Sequence, residues 1–129
     1  MNPIIKNVKI NFPEEGLCTG CEVEDLGGNN YLLREHPLFA SSAKYFDVIE
    51  AIHESPEQIR FIKVIEASKV TLHEYLLPKD IIASESFKLF KDQLSQNGIF
   101  WQNDFGGIFL CFTNPDSKID IAHEISKLK

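Results

Sequence analysis

Val8-Lys9-Ile10-Asn11-Phe12-Pro13-Glu14-Glu15-Gly16 is the stretch that decides how this chain begins to fold. In an extended strand Val8, Ile10 and Phe12 face one way and Lys9 and Asn11 the other, and the run from Pro13 to Gly16 then interrupts it. Working outward, a second strand is predicted over 17–25. Gly27-Gly28-Asn29-Asn30 accepts the positive φ of a hairpin turn, so the chain returns over 31–34, and Pro37 closes that strand because it cannot donate to a ladder. Residues 47–54 and 59–67 form a further pair around Ser55-Pro56-Glu57. The second of these is apolar on both faces, Phe61 with Ile65 on one and Ile62 with Val64 on the other, which predicts a central strand buried on both sides.

The period changes in the second half. After a strand over 71–77, Ser84 or Ser86 can cap a helix in which Phe87, Phe90 and Leu94 share a face, Lys91 lies opposite, and Asn97-Gly98 supplies the left-handed end. Strands over 99–103 and 108–113 flank Asp104-Phe105-Gly106-Gly107 as a hairpin. Asn114-Pro115 then starts a terminal helix with Ile119, Ala122, Ile125 and Leu128 on one stripe. The fold class is therefore α+β. Antiparallel strands forming a small barrel or sandwich precede a β-α-β-β-α half that is ferredoxin-like but for a last strand. A chain of 129 residues is expected to be one domain with one core, comprising a strand-rich half, 1–70, and a mixed half, 71–129.

Charge is distributed unevenly along the chain. Between Pro13 and Glu57 stand ten carboxylates against Arg34 and Lys44, a net −8, whereas the whole chain is −6. Such a field favours a basic protein partner and rejects nucleic acid. The candidate partner-binding residues are Glu22, Glu24, Asp25, Glu35, Asp47, Glu50, Glu54 and Glu57. No segment has the run of about 20 apolar residues that spans a bilayer, and the first residues lack the pattern of a signal peptide, so no membrane association and a cytoplasmic location are expected. Three cysteines in such a chain are expected to be reduced thiols.

Motifs for chemistry are incomplete. Cys18-Thr19-Gly20-Cys21 lacks both the helix start of a redox pair and the two further ligands of a zinc site, and strand alternation sends Cys21 with Leu17 and Val23 inward and Cys18 with Glu22 and Glu24 outward. Cys111 in Phe109-Leu110-Cys111-Phe112 is core packing. His73-Glu74 and His123-Glu124 open like zinc-protease helices, but Leu77 and Lys127 occupy the positions of the second histidine. His36 could join Cys18 and Cys21 at a metal only in one particular hairpin register. No phosphate-binding glycine loop or serine elbow occurs. No catalytic residue, metal site or cofactor is expected, and the protein is not expected to be an enzyme.

Two runs, Tyr31-Leu32-Leu33-Arg34-Glu35-His36-Pro37-Leu38-Phe39-Ala40 and Phe46-Asp47-Val48-Ile49-Glu50-Ala51, resemble a bacterial domain-of-unknown-function family, DUF4265-like, in which a strand leads through a Pro-Phe-type turn into a Gly-Asp-Val-Val-type strand. Phe46 stands where that family tends to have Gly, and Leu38 separates Pro37 from Phe39. The resemblance implies a bacterial cytoplasmic protein with no established activity. By analogy at the level of such families, it also implies an immunity partner of a secreted toxin.

The expected function is accordingly a non-enzymatic protein-binding module whose acidic half docks a basic partner such as a toxin domain. The alternative is a small-ligand sensor or regulatory domain with Tyr31, Tyr45, Tyr75 and Trp101 lining a pocket between the halves.

Overall fold

A computed structural model describes residues 2–129, in two compact units that divide between Ser68 and Lys69. The division falls two residues from the expected boundary. Each unit has its own apolar core, where a single core was expected.

The first unit is a closed barrel of five strands: β1 (Ile4–Phe12), β2 (Leu17–Gly27), β3 (Asn30–Leu33), β4 (Val48–Ser55) and β5 (Gln58–Glu66). Consecutive strands pair antiparallel, and a short parallel pairing of β1 with β5 closes the ring. Alternation acts as expected in the first strands. Val8, Ile10 and Phe12 of β1 point inward, as do Cys21 and Val23 of β2, Tyr31 and Leu33 of β3, and Ile49 and Ala51 of β4. The β2–β3 turn holds Gly28 at φ 62° and Asn29 at φ 67°, the left-handed pair that a tight hairpin needs.

β5 is not buried on both faces. Ile59 is enclosed and Phe61 and Val64 pack on the core, but Ile62 and Ile65 are 42% and 47% exposed. Phe61 pairs with Ala51 and Val64 with Ile49, so three steps along β5 match two along β4. A β-bulge thus shifts the side-chain phase between 61 and 64. Neighbouring apolar residues here record that shift, since a barrel strand has only one inner face.

The segment between β3 and β4 is irregular, and Phe46 takes φ 71° there, the left-handed region that favours glycine. This is the position at which the resembled pattern carries Gly.

The second unit contains β6 (Thr71–Leu76), a short helix α1 (Lys79–Ile82), α2 (Glu85–Gln96), β7 (Phe100–Asp104), β8 (Ile108–Thr113) and α3 (Ile121–Ser126). Its sheet has the order β6-β8-β7, antiparallel throughout, so β6 and β7 run parallel on either side of β8. That is the split arrangement of a ferredoxin-like half. Ser84 caps α2 by accepting from Phe87 N–H, and Phe87, Phe90 and Leu94 are buried against Phe109, Cys111 and Ile121. Lys91 is not on the far side. Its ammonium lies 4.7 Å from the Phe87 ring centre and 5.0 Å from that of Trp101.

The terminal helix also begins later than expected. Asn114 and Pro115 occupy the first two positions of a β-turn closed by Ser117 N–H donating to the Asn114 carbonyl, and Asp120 caps α3 by accepting from His123 N–H. Pro115 is equally suited to the second position of a turn and the first of a helix, and here the turn prevails. Ile121 is the buried residue of α3, Ile119, Ile125 and Leu128 pack partly, and Ala122 is exposed. Among the described residues no helix is long and apolar enough to cross a membrane.

Candidate partner-binding surface

The eight candidate carboxylates fall into three groups, distinguished by what each oxygen already holds. Glu22 and Glu24 alternate with buried Cys21 and Val23 on β2, so strand geometry alone turns them outward. The Arg34 side chain lies between them, Nε 3.7 Å from Glu22 Oε1 and Nη1 3.3 Å from Glu24 Oε1. One guanidinium cannot neutralise two carboxylates, and at such exposure the pairs contribute little stability. Asp25 is turned to local use at the irregularity before Gly27: it accepts from Gly27 N–H at 2.9 Å and meets Lys6 Nζ at 3.4 Å. That backbone hydrogen bond, with Lys6 assisting, lowers its pKa below the usual carboxylate value. Glu50 lies 3.9 Å from Lys63 across the β4–β5 pair.

Two candidates are engaged inside the unit. Glu35 Oε1 accepts from Glu22 N–H, and its backbone carbonyl accepts from the Cys21 thiol. Asp47 is 3% exposed. Its carboxylate accepts from Lys44 N–H at 2.9 Å and Ser68 N–H at 2.7 Å, with Lys44 Nζ at 3.4 Å. It ties the end of the irregular segment to the close of the first unit, and is in no position to meet a partner.

Glu54 and Glu57 form the third group, at the tip of the β4–β5 hairpin. Both are exposed, and neither has an ion-pair partner among the described residues. The surface available to a partner is therefore narrower than the eight: Glu22 and Glu24 on β2, Glu50 on β4, and Glu54 and Glu57 at the tip.

Glu15 is a residue that sequence reasoning did not single out. It ends the 3-10 turn Pro13–Glu15, and its two oxygens accept from the N–H and hydroxyl groups of Ser41 and Ser42 at 2.5 to 3.0 Å. The Ser42 hydroxyl and Ser41 N–H, ahead of the other contacts, hold its pKa at about 2. Nothing in the local pattern of Glu14-Glu15 points to partners 26 residues away. A carboxylate depressed from an ordinary 4.5 contributes stability above pH 4.5 and loses that contribution as pH falls towards 2. Wild type should therefore exceed Glu15→Gln in thermal stability by a constant margin at pH 6 to 8, and the margin should vanish between about pH 4.5 and 2. A margin independent of pH would assign the effect to something other than this carboxylate.

The cysteines follow the strand alternation. Cys18 is exposed, Cys21 and Cys111 are buried, and burial pushes both of the latter up to about 12, assisted at Cys21 by the Glu35 carboxylate. One equivalent of thiol reagent should thus be taken up by the native protein at pH 7.5, at Cys18, and three after unfolding. Two fast-reacting thiols in the native state would contradict this placement. Among the described residues no group of His, Cys, Asp or Glu is arranged to hold a metal. His36 is buried and its Nδ1 accepts from Tyr45 N–H, while His73 Nε2 is 2.9 Å from the Thr113 hydroxyl and its pKa is lowered by burial. Of the aromatic residues considered for a ligand pocket, Tyr31 belongs to the barrel core, and Tyr75 and Trp101 pack on the core of the second unit.

The class defined by this geometry is an α+β protein with an acidic five-stranded barrel and a three-stranded sheet backed by helices. No family model and no curated protein matches the chain. A solved structure of a hypothetical protein from Neisseria gonorrhoeae is similar, with a TM-score of 0.56, 17% identity, and 97% of this chain and 84% of that one covered. At that identity the likeness concerns the fold alone. The resemblance read over 31–51 reaches no further than this: a hypothetical bacterial protein shares the architecture, and no family is identified.

Proposed function

We propose that the protein is a non-enzymatic binding module whose barrel docks a basic protein partner, in the manner of an immunity protein neutralising a cationic toxin domain. The observation that carries this reading is the division of the carboxylates. Internal structure absorbs Glu15, Glu35 and Asp47, whereas Glu54 and Glu57 are exposed with no counter-ion among the described residues and Glu22 and Glu24 share a single arginine. Exposed like charges gathered on a small barrel oppose folding slightly, yet raise the encounter rate with an opposite potential.

The first test is affinity capture with the wild-type chain and with a variant reversed to Lys at Glu22, Glu24, Glu54 and Glu57. A basic protein retained by the wild type and released by the variant supports the proposal. Retention of the same protein by both would place binding elsewhere.

A further inference from the structure

The parallel seam that closes the barrel ends for a chemical reason. Lys9 pairs with Gln58, Ile10 with Ile59 and Asn11 with Arg60, and Lys9 N–H donates to the Glu57 carbonyl at 2.8 Å. In a parallel ladder alternate residues of β1 donate to β5, so after residues 9 and 11 the next donor would be the N–H of residue 13. Residue 13 is proline, which has none. The pairing stops after Asn11–Arg60, at the point where β1 turns away through Pro13–Glu15.

A cavity of about 360 Å³ opens at this break. Its apolar wall is Phe12, Phe61 and Ile62, the two rings standing 5.1 Å apart. Two opposite charges line it as well, Arg60 and Glu14. Neither has an ion-pair or hydrogen-bond partner of its own side chain among the described residues. Ser42 completes the wall, and the Glu15 carboxylate fixes its position by accepting from both its N–H and its hydroxyl. The cavity lies at the small end of the range that holds compact ligands, about 300 to 1,000 Å³.

We infer that this cavity is a binding site for a small zwitterion, a free α-amino acid with an apolar or aromatic side chain. The ligand carboxylate pairs with the Arg60 guanidinium, which is suited to a planar two-oxygen acceptor. The ligand ammonium pairs with the Glu14 carboxylate. The side chain lies against Phe12, Phe61 and Ile62. Charge balance excludes other classes: a polyanion meets Glu14 and the acidic barrel, a simple cation meets Arg60, and a peptide presents only one of the two charges at either end. The site is independent of the acidic docking face, because neither Arg60 nor Glu14 belongs to it.

The test is titration of the full chain, followed by amide chemical shifts, with L-phenylalanine, L-leucine and L-tryptophan to 10 mM. N-acetyl-L-phenylalanine and L-phenylalaninamide each remove one charge and imitate the two ends of a peptide. At least one free amino acid is expected to shift the amides of residues around 12–14 and 60–62 in a saturable way, and both blocked compounds to bind at least tenfold more weakly. Arg60→Gln should weaken the free amino acid at least tenfold and the amide little, whereas Glu14→Gln should weaken the free amino acid and leave the N-acetyl compound unchanged. Both replaced side chains are outside the core, so native spectra are expected of both variants. No saturable shift with any of the three amino acids overturns the inference, as does equal binding of the free and blocked compounds or indifference to both substitutions.

Discussion

Phe90→Ala is expected to cost about 3 to 5 kcal/mol of stability, the largest loss of any single substitution considered for this chain. Phe90 is 4% exposed, lies on the inward face of α2 and has its ring centre 6.0 Å from that of Phe109, which Phe87 meets edge-on at 5.1 Å. Truncation leaves a cavity beneath a helix of only twelve residues. Two comparisons fix the helical phase. Asp92→Ala, on the exposed face, should change stability by less than about 0.5 kcal/mol. Lys91→Ala should fall between, at about 1 kcal/mol, because its ammonium covers the Phe87 and Trp101 rings. Urea unfolding of the three variants reads this order directly, and equal losses at Phe90 and Asp92 would show the phase to be wrong.

Reversal of Glu22, Glu24, Glu54 and Glu57 to Lys is expected to slow association with a basic partner by roughly tenfold or more at low salt, within the range over which charge steers encounters. The four changes move the net charge of the barrel unit from acidic to basic, since it carries eleven carboxylates and six bases. The fold should survive, because among the described residues the ion pairs lost are those with the exposed Arg34, worth about 0.2 to 1 kcal/mol each. Dissociation should change less than association, as rim charges act on encounter more than on residence. Asp47 and Glu35 are excluded from the reversal. Their carboxylates receive backbone N–H groups of the barrel, and a lysine at either place would test folding instead of binding.

The legibility of this fold follows the range of the interactions that set it. β1, the β2–β3 turn and the inward stripe of α2 are governed by neighbours within a few residues, and there period two, positive φ and a serine cap are visible in the letters. β5 misled because a bulge and a two-faced strand give the same run of apolar residues, and only the partner strand tells them apart. Asn114-Pro115 misled because turn and helix start share the same first residues.

The candidate surface was legible in composition and not in role. All eight carboxylates are acidic in sequence, but whether an oxygen is spent on the protein's own backbone depends on contacts such as Asp47 with Ser68, 21 residues away. Glu15 and its two serines were hidden for the same reason. Arg60 likewise acquires meaning only through the seam, where Pro13 ends the ladder beside it.

The measurement that bears most directly on the acidic-face account is the association rate of the captured partner by stopped flow, for wild type and the four-site reversal, from 20 mM to 500 mM salt. The Debye length contracts from about 10 Å at 0.1 M towards 3 Å at 1 M, so a steered encounter must slow as salt rises. The account predicts a steep fall for the wild type, a flat or rising course for the reversal, and convergence of the two at high salt. Equal rates for both proteins, indifferent to salt across the range, would contradict it and leave the acidic residues as solvated surface.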